Sequence, residues 1–155
     1  MDAVTYPDAA VSAFIDAHFV PVKLNLSDDA EAAQARELVP LWTPTFIISD
    51  GRGREVHREI GFLPPNDFLP MLALARAKGL LATGRGQEAI QALDDALARF
   101  AQGEYTPQLL YWRGVVGYSV THDRSHLAEY WGRLQREYPQ STWSVRCSFF
   151  QPPTS

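Results

Sequence analysis

Cysteine is almost absent. Cys147 stands alone, which excludes an internal disulfide framework. Long apolar runs are absent too: none approaches the roughly 20 residues needed to span a bilayer, so no membrane role is expected. Basic surplus is likewise missing. The net charge is −4 and no Lys/Arg patch stands out, which argues against nucleic-acid binding. The opening Met1-Asp2-Ala3-Val4-Thr5-Tyr6-Pro7-Asp8 has no basic region followed by an apolar one. It does not read as a signal peptide, and the chain as written is expected in the cytoplasm. What remains is ordinary for a soluble globular protein: 155 residues, 46% hydrophobic and 21% charged, enough for one domain or one domain with an appendage.

Candidate ligand groups are equally sparse. The histidines are His18, His57, His122 and His126. Two histidines four apart bind zinc when both lie on one helix face. Ser125 reads as a helix cap between His122 and His126, which places His122 in a loop. No metal and no cofactor are expected. Asp28-Asp29 and Asp94-Asp95 read as caps or solvated helix faces rather than paired catalytic carboxylates. Cys147 sits among Val145, Phe149 and Phe150 and reads as a small buried hydrophobe without a chemical role.

The stretch Leu41-Trp42-Thr43-Pro44-Thr45-Phe46-Ile47-Ile48-Ser49-Asp50-Gly51 is the most informative. Proline cannot donate to a ladder, so Pro44 belongs at the start of a strand. Phe46, Ile47 and Ile48 run apolar without alternation, which suits a strand covered on both faces. Asp50-Gly51 reads as a tight hairpin turn, and residues 54–60 return as a second strand. Before it, Asp8 caps a helix bearing Val11, Phe14 and Ile15 that ends near His18. Residues 19–26 place apolar groups at 20, 22, 24 and 26, the period of a strand, and Pro21 assigns that strand to a sheet edge. Ser27 and Asp28 cap a helix over about 29–39. After Gly61-Phe62-Leu63-Pro64-Pro65, Asn66 caps a helix carrying Phe68, Leu69, Leu72 and Ala75. The remainder reads as helices over about 86–100, 109–120 and 125–138, with a short last one from Ser141 through Phe150.

Trp42-Thr43-Pro44-Thr45, the strand behind it, the Asp-Gly turn and Gly61-Phe62 before a helix together resemble the second half of a thioredoxin. The resemblance implies a cis Thr43-Pro44 peptide whose backbone holds a substrate chain, with Trp42 at the border of that site. It also implies an α/β fold: a three-layer thioredoxin-like sheet truncated at its front, with strands over about 19–26, 45–49 and 54–60, occupying residues 1–82. The family's central first strand and its Cys-x-x-Cys pair have no counterpart here, and Met1 falls just inside the helix that follows them. Such a strand buries three or four large apolar side chains worth about 1.5–3 kcal/mol each. Its loss leaves sheet edges open to association, including with a second copy. A partner chain, the 145–150 segment or an upstream translation start are the ways to fill the gap. The last of these also opens a periplasmic location.

Residues 83–155 resemble tetratricopeptide helices, through Gln87-Glu88-Ala89-Ile90, Ala96-Leu97 and Leu110-Tyr111-Trp112-Arg113-Gly114. Arg113 departs from the pattern where the repeat has leucine. By resemblance, then, the chain belongs with the thiol–disulfide oxidoreductases but is redox-inactive as encoded. The alternative is a non-catalytic module that binds a protein or peptide through Trp42, Thr43 and Pro44 and the helical surface.

Overall fold

The computed structural model describes residues 1–150. In chain order it contains α1 (Ala9–His18), α2 (Asp29–Glu37), β1 (Thr45–Ser49), β2 (Glu55–Ile60), α3 (Pro65–Ala82), α4 (Gly86–Arg99), α5 (Thr106–Thr121), α6 (Ser125–Glu137) and α7 (Thr142–Arg146). The chain divides into two compact units, Met1–Leu69 and Pro70–Ser155. The division falls within α3, next to Pro70, whose missing N–H removes one rung from that helix. Residues 151–155, the tail of the expected helical region, lie outside the described residues.

In the first unit, aspartates set the helix starts. Asp8 accepts from the amides of Ala10 and Val11, and Asp28 from those of Ala30 and Glu31, each supplying acceptors that the first turn lacks. The sheet has two antiparallel strands, β1 and β2, with Thr45 opposite Ile60 and Ile48 opposite His57. Val56 is an extra residue in β2, since Ser49 pairs with Glu55. Phe46 lies 4.9 Å from Phe68, and Tyr6 meets the same ring edge-on at 5.9 Å. The fully buried Thr5 donates its hydroxyl to the carbonyl of Leu63 at 2.7 Å.

The expected third strand is not formed. Residues 19–25 have no regular structure, with Val20 92% and Val22 78% exposed. Alternating apolar residues make a strand only where a neighbour supplies hydrogen bonds and cover. The two-stranded sheet supplies neither to this segment, and Pro21 has no amide to offer. For the same reason Phe46, Ile47 and Ile48 are half-buried rather than covered on both faces. The fold is therefore mixed helix and strand, with a two-stranded sheet in place of the expected three-layer one.

The hairpin differs in detail as well. Gly53 donates to the carbonyl of Asp50, Asp50 donates to that of Arg54, and Gly53 carries the positive φ of 78°. This is a three-residue loop with glycine in its left-handed position, not a two-residue turn at Asp50-Gly51. The Asp50 carboxylate closes it by accepting from the amides of Arg52 and Arg54 and from the Arg54 guanidinium.

In the second unit, α5 lies between α4 and α6. Val120 fills the space beside Gly86, so the end of α5 meets the start of α4. At Gly117 a Cβ would stand 2.6 Å from the His126 ring and 2.8 Å from Arg113 Nη1, so only glycine lets α6 approach there. Tyr111 stacks on Trp131 at 5.3 Å, and the Trp131 indole donates to the Tyr111 carbonyl. Several caps and ends depart from expectation. Asp123, not Ser125, provides the side chain that accepts at the start of α6; Asn66 lies inside α3, and α7 stops at Arg146. Asp94, expected on a solvated helix face, keeps its side chain 37% exposed and is in addition tied to α5. It pairs with Arg113 through contacts of 2.6 and 3.1 Å, while Tyr130 supplies a hydroxyl at 3.4 Å and a ring 4.4 Å from the guanidinium.

Two outcomes follow from these pairings. Arg113 is only 6% exposed, whereas the Asp94 side chain is 37% exposed. Asp94→Ala strands a buried guanidinium and should cost about 3–5 kcal/mol, but Arg113→Leu leaves a carboxylate that water can reach and should cost less than about 1 kcal/mol. Urea unfolding of the two variants measures the asymmetry, and equal losses would contradict it. Hydrogen bonds from Arg54 and the loop amides hold the Asp50 carboxyl below its ordinary value of 3.8. The folded pKa is thus lower than the unfolded one. Its stabilising effect is present above about pH 5 and disappears as pH falls through the folded value, below 3.8. Hairpin amide exchange in wild type and Asp50→Asn should differ at pH 7, and the difference should shrink as pH falls below 3.8.

Candidate functional site

The three residues singled out from sequence lie in one loop between α2 and β1. Both ends of this loop are tied down. At its start, Leu38 closes α2, and Val39 takes a left-handed backbone with φ 49°, a costly choice for a β-branched residue. Arg58, on β2, donates to the carbonyls of Leu38 (2.8 Å) and Val39 (3.3 Å) while pairing with Glu55 at 2.6 Å. The hydrogen bonds from Arg58 hold the Glu55 carboxyl below its usual range. At the far end Gly61 donates to the carbonyl of Pro44 at 2.8 Å, and Thr45 donates its hydroxyl to the carbonyl of Trp42.

Between these anchors the loop stands in solvent. Leu41 is exposed, Trp42 is 70% exposed, and Thr43 is exposed. The Thr43-Pro44 peptide is cis. Large aromatics are seldom left this open on a folded surface. The structure therefore brings Trp42, Thr43 and Pro44 together as one projecting element with a fixed base. Arg58 was not visible as part of it. Its partners are carbonyls nearly twenty residues away in sequence, and no spacing rule announces such a bond.

The loop leads directly into the edge of β1 that faces away from β2. Gly61 bonds to Pro44, so Phe46 and Ile48 also turn their N–H and C=O groups toward β2. The alternation of an antiparallel ladder then points those of Thr45, Ile47 and Ser49 the other way. No strand lies on that side among the described residues. The site can thus offer a rigid aromatic and a set of main-chain donors and acceptors. It holds no thiol.

The remaining candidates are dispersed. Cys147 is fully buried, its thiol donates toward the Ser144 carbonyl at 3.4 Å, and burial pushes its pKa up, which disfavours the reactive thiolate. His18 ends α1, His57 is on β2, His122 caps α5 and His126 is in α6. Among the described residues no three His, Cys, Asp or Glu side chains are grouped to hold a metal ion, and no helix is long and apolar enough to cross a membrane. No protein-family model, curated protein or solved structure matches the chain.

Removing the Arg58 clamp tests how the loop is held. Arg58→Ala should cost about 1–2 kcal/mol, since two carbonyl hydrogen bonds and a half-exposed ion pair are lost together. It should also raise amide exchange across residues 39–45 by roughly tenfold, as a penalty of that size implies. Unchanged exchange there would show that the loop is positioned by something else.

Proposed function

We propose that this chain is a thioredoxin-like protein, related to the thiol–disulfide oxidoreductases, that binds an extended protein or peptide segment without redox chemistry. The observation that carries this reading is the exposed Trp42-Thr43 pair running straight into the edge of β1 that has no strand beside it among the described residues. A bound segment gains main-chain hydrogen bonds from the strand and a large, stiff apolar contact from the indole. Nothing in the chain supplies the other half of the family's chemistry. Thiol exchange needs an attacking thiolate and a resolving thiol close together, and the single thiol is buried.

The test uses thiol-blocked insulin B chain as the extended probe. Calorimetry should show binding that is indifferent to reductant and weakened about tenfold by Trp42→Ala, equivalent to about 1.4 kcal/mol. In parallel, the protein should not accelerate reduction of intact insulin by dithiothreitol. A rate above background that survives Cys147→Ala, or an affinity unmoved by Trp42→Ala, would overturn the proposal.

A further inference from the structure

We infer that the first unit is an acceptor for a donated β-strand: an uncharged segment, apolar at every second residue, that pairs its backbone with the outer edge of β1. The inference rests on the binding role proposed for this region and specifies the ligand's chemistry.

The edge itself defines the occupant's backbone. Thr45, Ile47 and Ser49 present alternate N–H and C=O groups, and only an extended chain matches that spacing. Natural edges left to solvent are blunted with charge, internal proline or a bulge. This one has none of these. Residues 45–49 carry no charged group, Pro44 stands before the strand rather than within it, and the extra residue of the sheet is Val56, on β2.

The surroundings define the occupant's side chains. The charges around the hairpin balance, Asp50, Glu55 and Glu59 against Arg52, Arg54 and Arg58, with Asp50–Arg54 and Glu55–Arg58 in direct contact, so no net charge calls for a complementary one on a ligand. Apolar surface, by contrast, is in excess. Val20, Val22 and Leu26 are exposed at period two, and residues 20–24 make no backbone hydrogen bond among the described residues. A unit with this much apolar surface and so little apolar interior is completed by an apolar strand, not by a polar one.

The experiment uses the full chain and three synthetic peptides of about eight residues, a common strand length. The first alternates valine and threonine between terminal lysines. The second has the same composition with its valines in one block. The third is the first with every second amide N-methylated on its ladder side. Amide exchange is read at Thr45, Ile47 and Ser49. The alternating peptide should slow exchange at Ile47 at least tenfold, and the other two should leave it unchanged. Three results would overturn the inference: no slowing at saturating peptide, equal slowing by the block peptide, or an Ile47 amide already protected in a free protein of doubled mass, which would mean that a second copy holds the edge. Binding that depends on Trp42 without protection of Ile47 would sink this inference while leaving the proposed role intact. No binding by any extended segment would remove both.

Discussion

A strand has two edges, and each carries peptide groups whose loss of water must be repaid by hydrogen bonds. In β1 one edge is satisfied by β2, and the other faces away from it without a strand. Much else about the first unit follows from this imbalance. Because no strand among the described residues pairs with β1 on that side, Phe46, Ile47 and Ile48 are half-covered instead of buried. The buried apolar set of the unit is short: Val11, Ala32, Ala35, Phe68 and Leu69. Side chains of similar character, Val20, Val22, Leu41 and Trp42 among them, stay in solvent. The unit keeps its shape through local devices: aspartate caps, the Asp50-closed hairpin and the Arg58 clamp on the loop carbonyls.

The second unit meets the same demands differently. Helices satisfy their own backbones, so packing alone decides their association. Here α4, α5 and α6 bury leucines and alanines along continuous faces, and glycines at 114 and 117 permit close approach to Trp131 and His126. Some of the polar groups taken into this interior are paired, while Arg113 Nη1, Trp112 Nε1 and His126 Nδ1 are buried without a hydrogen bond. Arg113 has Asp94 and the face of Tyr130, and Ser144 donates to the carbonyls of Leu134 and Tyr138, tying α7 to α6. Cys147 ends among these contacts as a packed group, with Gln135 donating to its carbonyl.

What could be read from residue order depended on how local the cause was. Asp8 and Asp28 act on amides two and three residues away, and both caps were legible. Pro44 before an apolar run was legible as a strand start, as was the helical spacing of Ala89, Leu93 and Leu97. Asp50-Gly51 is the local signal of a tight turn, whereas the loop length that puts Gly53 in the left-handed position is set by the register of β1 against β2. Asp94 meets Arg113 across two helices, and Arg58 reaches Val39 from another element; neither leaves a local pattern. The segment 19–26 has the pattern of a strand and no neighbour to make it one. Of the candidate site, Trp42, Thr43 and Pro44 were visible, but the open edge beside them became visible only with the sheet.

The central claim is that the first unit lacks part of its apolar interior and the second does not. Native-state hydrogen exchange under increasing denaturant measures this most directly, because it reports an opening free energy for each amide. The account predicts that β1 and β2 open at a distinctly lower free energy than α5 and α6, as a separate early step. If the hairpin amides instead opened together with those of α5, at the same free energy, the account would be contradicted.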